Sequence, residues 1–215
     1  MTNLSKRIYT SLSLIVIFIT SIYNNLIFLL FIIFCFYQIF YEFYNLLKKI
    51  FQYKRKIYLY FFLFLILLFL TYLICFVWMN FTSNYQLDKI FLFLLISISI
   101  STDIGGYIFG KTFKGKKITK ISPNKTYSGM IGSYIMSVFV AYFFFKNFIN
   151  IQNLLIIAFF VSTISQIGDL FISYLKRKAN LKDTGSILPG HGGILDRFDG
   201  LIFVLTIGSL SKIIL

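Results

Sequence analysis

Apolar residues in this chain come in long unbroken runs, of which Ile57–Met79 is the clearest. A run of more than about 18 apolar residues is long enough to cross a bilayer as a helix. Seven apolar segments stand out, roughly 8–23, 26–44, 57–79, 88–109, 129–145, 151–173 and 200–215. The first two and the last are short for a span of about 20 residues. Asn24–Asn25 makes a turn between the first two, so these are read as a helical hairpin. The pattern predicts an all-α, polytopic transmembrane protein of about seven spans, in which Gly- and Pro-containing cytoplasmic loops carry the active site. Residues 1–87 are assigned as a scaffold of N-terminal transmembrane helices, and 88–215 as the catalytic transmembrane region.

Composition agrees with the pattern. Of the 215 residues, 58% are hydrophobic and only 13% charged, against about a quarter charged in an average soluble domain. A soluble fold is excluded. The Lys6–Arg7 pair followed by an apolar stretch is like a signal peptide. No small-x-small cleavage site follows, however, and a retained first helix is expected. Cys35 and Cys75 both lie inside apolar runs, so they are read as small core or lipid-facing residues rather than a disulfide or metal pair.

The net charge of +14 would point a soluble protein toward nucleic acid. Here its distribution says otherwise. Eighteen of the 21 basic residues fall before segment one or in the loops two–three, four–five and six–seven. The opposite side keeps only Lys89, Lys146 and Lys212. Lysines and arginines mark cytoplasmic loops, which sets the N-terminus inside and the C-terminus outside.

Seven acidic residues remain: Glu42, Asp88, Asp103, Asp169, Asp183, Asp196 and Asp199. Glu42 lies near the end of segment two, where it can snorkel to the interface. Asp88 reads as a loop or cap residue. Asp103 and Asp169 sit inside segments four and six, each roughly 10–12 Å below the cytoplasmic helix end at 1.5 Å per residue. A carboxylate at that depth needs a cavity, a cation or a partner. A structural ion pair with a lysine is one reading; a cation or substrate site is the other. Ser97, Ser99, Ser101, Thr102, Gly105 and Gly106 flank the first acid. Ser162, Thr163, Ser165, Gln166 and Gly168 flank the second. These side chains suit a polar cavity or the commoner role of cross-linking helices.

The densest signal is the stretch Ser173–Asp199. Its Pro189–Gly193 portion is not regular helix, and its glycines free backbone N–H groups to face an anion. Lys176, Arg177, Lys182 and Arg197 supply positive charge for phosphates. Asp196 and Asp199, three apart on a helix start, share a face. With Asp169 they could hold a hard divalent cation through oxygen. Lysines, a glycine loop and clustered aspartates suit phosphoryl or nucleotidyl transfer, in which positioning and charge neutralisation do most of the work. Each piece alone has a plainer explanation: a cytoplasmic loop, a structural His191, a pair of helix-capping aspartates. Gly110–Lys117 nearly matches a P-loop but lacks the Ser/Thr after the lysine and follows a transmembrane helix, so it is rejected.

Ser173–Asp199 resembles the signature of the CDP-diacylglycerol synthase (phosphatidate cytidylyltransferase) family: S-x-aliphatic-K-R, four residues, K-D, then P-x-H-G-G-aliphatic-x-D-R-x-D. Ser165–Leu170 resembles the family's G-D-L block. Asp103–Lys111 and Ile121–Gly129 resemble two further blocks, with Gly106 in place of the usual Ala and Ser128 in place of the usual Glu. The resemblance covers roughly 97–205. The chain is short for the family, so fewer N-terminal spans are expected.

The resemblance implies transfer of a cytidylyl group from CTP to phosphatidate, giving CDP-diacylglycerol and pyrophosphate, with Mg²⁺ and an optional second cation. It implies catalytic roles for Asp169, Asp196, Lys176, Arg177, Lys182, Asp183, His191 and Arg197. Substrate contacts fall to Ser122, Asn124, Lys125, Thr126, Gly190, Gly192 and Gly193. The metal ligands would be Asp169, Asp196, Asp199 and Asp103. Expected partners are CTP, phosphatidate and membrane lipids, with a homodimer as an option and no nucleic acid. The expected location is the bacterial inner membrane, with the site facing the cytoplasm. Two alternatives stand beside this: a CTP-dependent polyprenol or phytol kinase, and an ion-coupled transporter. The complete signature argues against the first. The clustering of acids toward one face beside lysines argues against the second.

Overall fold

A computed structural model describes residues 23–51, 56–119, 122, 125–188 and 192–214, together with Val16 and Thr20. These residues form six helices: α1 (Asn25–Phe51), α2 (Lys56–Thr82), α3 (Gln86–Phe113), α4 (Tyr127–Phe145), α5 (Ile151–Lys178) and α6 (Leu195–Ile214). Among the described residues the only β pairings are two isolated bridges. The first apolar segment and the hairpin expected around Asn24 lie largely outside the described residues. Asn24 itself accepts the N–H groups of Leu26 and Ile27 through its side chain, so it starts α1 as a helix cap.

Five helices, α1 to α5, are long and apolar enough to cross a membrane. Their outward faces are also apolar: Tyr60, Phe61, Phe64, Leu67, Leu68 and Tyr72 on α2 are all exposed. Such a surface is untenable in water and natural against lipid. The chain is an integral membrane protein. The seventh apolar segment forms α6, but this helix begins at Leu195 rather than near 200 and so takes in Asp196, Arg197 and Asp199. It is not among the five. Helices α1, α3 and α5 run past their apolar segments into Lys48–Lys49, Lys111 and Lys176–Lys178. Lysine is a good helix former, and its charge suits a helix C-terminus.

The chain divides into two compact units, one of Met1–Trp78 with Leu175–Phe198, the other of Met79–Tyr174 with Asp199–Leu215. The first has a core of Leu46, Leu47, Leu63 and Ala179, flanked by Phe40, Leu59 and Leu181. The signature loop therefore belongs to the unit of the N-terminal helices. The second has a core of Leu94, Leu95, Ile98, Ala141, Leu154, Ala158 and Val204.

Within the second unit, α3 and α4 approach closely through small residues. A Cβ on Gly105 or Gly129 would run into the backbone of the facing helix, at Gly132 and Gly106 respectively. Several of the serines and threonines flagged in the sequence serve as cross-links, whereas Ser101 bonds the Ile98 carbonyl of its own helix. Ser99 bonds Ser165, Thr102 bonds Ser162, and the Ser133 hydroxyl donates to the Thr102 carbonyl. Among the described residues no buried side-chain polar atom lacks a partner.

Candidate active site

Among the described residues, each unit holds a lysine–aspartate pair. In the second unit, Asp169 sits on α5 and its carboxylate pairs with Lys125. The loop between α3 and α4 delivers that lysine. Lys114 ends α3 in a left-handed turn (φ 44°). Then Ile118 N–H donates to the Lys125 carbonyl, and Tyr127 N–H to that of Lys116. At the tip, Lys125 N–H donates to the Ser122 carbonyl at 3.1 Å. Thr126 caps α4, its hydroxyl accepting the Gly129 N–H at 3.1 Å. Ser128, in place of the family's usual Glu, bonds the Gly115 N–H and the Thr126 hydroxyl. Ser173, one turn beyond Asp169, donates to it at 3.3 Å. The structural ion pair considered for Asp169 is thus present. Its partner is itself a signature lysine, and about a quarter of each side chain remains exposed (24% and 27%).

In the first unit, Lys176 in the last turn of α5 donates to Asp196 Oδ1 at 2.8 Å, with side-chain exposures of 13% and 7%. Asp196 Oδ2 accepts the N–H of Thr184 at 2.8 Å and of Gly193 at 3.0 Å. Burial alone would raise the Asp196 carboxyl. The hydrogen bond from Lys176, the two backbone N–H groups and the Lys176 charge outweigh it and hold the carboxyl below its ordinary value.

The glycine loop turns back on itself. Leu188 and Gly192 exchange both backbone hydrogen bonds, and Gly192 adopts φ +86°, a conformation that glycine alone takes without strain. Of the N–H groups expected to face a substrate anion, the two among the described residues are met within the protein: Gly192 bonds Leu188, and Gly193 bonds Asp196.

Glu42 corrects the sequence reading. It does not snorkel, being only 3% exposed. Its Oε1 accepts the Ile194 N–H at 2.8 Å, and its Oε2 the Leu195 N–H at 2.9 Å together with the Thr184 hydroxyl. The local sequence does not name the partners, which lie 142 to 153 residues downstream. A lone acid in an apolar helix, needing a partner, was the available clue.

The remaining predicted residues are placed as follows. Arg177, Lys182, Asp183 and Arg197 are exposed, as is Asp103 on α3. Asp199 is buried, at 7%, and accepts the Gly200 N–H. Asn124, Gly190 and His191 lie outside the described residues. Asp88, read as a cap, lies in the first turn of α3 and accepts the Ser83 hydroxyl at 2.7 Å. Among the described residues no three His, Cys, Asp or Glu side chains gather as a protein-only metal cage.

These features define an integral membrane protein in which two motif aspartates, Asp169 and Asp196, are each held by a motif lysine. Residues 46–211 match the model of the Cytidylyltransferase family, and the chain belongs to that family. It is similar to the phosphatidate cytidylyltransferase of Rickettsia conorii, 43% identical over 146 residues, covering 63% of each chain. It is also similar to those of Staphylococcus haemolyticus, 51% over 108 residues (48% of this chain, 42% of the relative), and Bacillus subtilis, 42% over 124 residues (56% and 46%). The chain therefore spans less than two thirds of the length of these relatives.

Proposed function

We propose that the chain transfers a cytidylyl group from CTP to phosphatidate. A phosphate oxygen of phosphatidate attacks the α-phosphorus of CTP. The bond from that phosphorus to the bridging oxygen breaks, and pyrophosphate leaves with its electron pair. One observation carries this reading: the signature residues of a family member fold here into two lysine–aspartate pairs, Lys125–Asp169 and Lys176–Asp196. Exposed Arg177, Lys182 and Arg197 are suited to bind the triphosphate and lipid phosphate. Lys125, part exposed in its pair, is suited to exchange its carboxylate partner for a phosphate.

Mg²⁺ is the expected cofactor. It is commonly held by one or two carboxylates, completed by phosphate oxygens and water, rather than by an all-protein cage. The residues fit that mode: Asp169 is part exposed and its bond from Ser173 is long. Asp169 would hold the ion, with Asp196, Asp199 and Asp103 as the other sequence-assigned ligands. Bound there, Mg²⁺ would neutralise phosphate charge.

The basic loops α1–α2, α3–α4 and α5–α6 support a cytoplasmic site, where CTP is found, in a bacterial inner membrane. With the first segment and the 200–215 segment added to α1–α5, the span count is seven. In a chain with Cys35 and Cys75 replaced, cysteines at positions 116 and 182 should resist a membrane-impermeant thiol reagent in intact cells. Ready labelling from outside would reverse the orientation.

The deciding assay combines purified chain, CTP, phosphatidate and Mg²⁺. CDP-lipid and pyrophosphate should form together, and excess EDTA should abolish both. CDP with a phosphorylated lipid alcohol would mark a kinase instead, and full turnover in EDTA would refute the metal assignment.

A further inference from the structure

We propose that Glu42 is a positioning residue for the aspartate-bearing loop, acting on Asp196 through Thr184 and the backbone of Gly193–Leu195. The inference rests on the reading of that loop as nucleotidyl-transfer machinery. Glu42 lies on α1, four residues before the stretch that matches the family, 46–211, and in the part of the chain assigned above as scaffold.

Two carboxylates share one set of donors. Three consecutive N–H groups point at them: Gly193 to Asp196, Ile194 and Leu195 to Glu42. Thr184 is divided in the same way, its N–H going to Asp196 and its hydroxyl to Glu42. Glu42 therefore grips both ends of the 184–194 loop, and each grip is one residue or one atom group removed from a bond to Asp196.

The arrangement also solves a capping problem. Ile194 precedes the first residue of α6 and has no side-chain acceptor, so the helix cannot cap itself there. A carboxylate from α1 takes that place, where the helix dipole favours negative charge. The fit leaves no room beside it. A Cβ on Gly193 would collide with the Glu42 carboxylate and the Thr184 hydroxyl, and one on Gly185 would lie 2.9 Å from Oε1. The glycines of this loop are needed for the approach of Glu42 as well as for the turn.

Glu42→Gln keeps shape but replaces one acceptor oxygen with an NH₂ donor, which must face a backbone N–H or the Thr184 hydroxyl. In the Mg²⁺-supplied CTP and phosphatidate assay with the full chain, kcat per folded molecule should fall about 10- to 100-fold, the scale of a lost positioning contact. KM for both substrates should stay near wild type. Thr184→Val removes only the hydroxyl and should lower kcat less. The double variant should be no worse than Glu42→Gln, because both break one link. Wild-type kcat per folded molecule with reduced accumulation would show a purely structural role and overturn the proposal. If Glu42→Gln does not accumulate, Thr184→Val decides, and an unchanged kcat there overturns it. Amide hydrogen exchange at 193–195 reads the link without turnover. Faster exchange in either variant is expected. Unchanged exchange overturns the inference whether or not the wild type makes CDP-lipid, which separates its failure from that of the functional reading.

Discussion

The two lysine–aspartate pairs are chemically alike and physically different. Lys125–Asp169 is about a quarter exposed, and the only other bond described for its carboxylate is a long one from Ser173. Lys176–Asp196 is mostly buried, and its carboxylate also accepts two backbone N–H groups. Asp169 rides on a helix whose position is set elsewhere, by the serine and threonine cross-links of α3, α4 and α5. Asp196 is woven into the loop it belongs to. A carboxylate with solvent access and spare lone pairs can change partners at little cost; one that organises its surrounding backbone cannot. The same residue pair thus reads as an exchangeable site in one unit and as a structural node in the other.

Asp196→Asn should have the largest effect, since it strikes both roles. The amide can keep the Thr184 and Gly193 bonds through its oxygen, but its NH₂ then meets Lys176, leaving a mostly buried ammonium without its counter-charge. Loss of stability of about 1–3 kcal/mol is expected, seen as reduced accumulation and a lower unfolding midpoint, together with loss of CDP-lipid formation. Normal accumulation would break the contrast.

Asp169→Asn should separate the roles. Its activity should fall by at least about a hundredfold, the scale of removing one key electrostatic group. Accumulation should hardly change, because part-exposed ion pairs contribute about 0–1 kcal/mol. Intact turnover with lost accumulation would make Asp169 the structural member instead.

Gly193→Ala probes the woven loop without touching charge. The new methyl group must push against Glu42 and Thr184. Overpacking of this kind costs about 1–3 kcal/mol, and the shift should propagate to Asp196 as a drop in kcat. Wild-type kcat in this variant would mean that the loop adapts freely, and the distinction between the units would blur.

Much of this was legible in the sequence, and the gaps have physical causes. Five of the seven apolar segments became helices long enough to span, because bilayer burial demands unbroken apolar runs that hydropathy reads directly. Helix ends were less legible: α5 continues through Lys176–Lys178 and α6 starts at Leu195, since helices follow backbone hydrogen bonding rather than polarity. Lys125, Asp169, Lys176 and Asp196 were named as site residues from spacing and resemblance, but which lysine meets which acid depends on folding across 20 to 44 residues. Glu42 was misread because its partners are distant in sequence and are mainly backbone groups, which leave no residue-type signature. The glycine loop was read correctly as non-helical around Gly192–Gly193. Its free N–H groups were expected to await a substrate anion, whereas Asp196 and Glu42, anions of the protein itself, occupy Gly193 and its neighbours.

The smallest expected effect tests the helix-packed unit in the same currency as Gly193→Ala. Gly106 stands where the resembled family usually has alanine, so Gly106→Ala is the natural substitution. Its Cβ would lie 2.8 Å from the Ser133 hydroxyl oxygen, which at present donates to the Thr102 carbonyl at 2.7 Å. That hydroxyl is the end of a short side chain and can rotate, so the conflict is soft. Alanine also raises helix propensity by up to about 1 kcal/mol over glycine. The two terms nearly cancel, and a stability change within about 1 kcal/mol is expected, with kcat unaltered. Pairing the change with Ser133→Ala removes the clash, and the double variant should be at least as stable as Gly106→Ala alone. A large loss of turnover in Gly106→Ala would show that the α3–α4 crossing governs Asp169 as tightly as the Glu42 loop governs Asp196, and the contrast between the two units would fall.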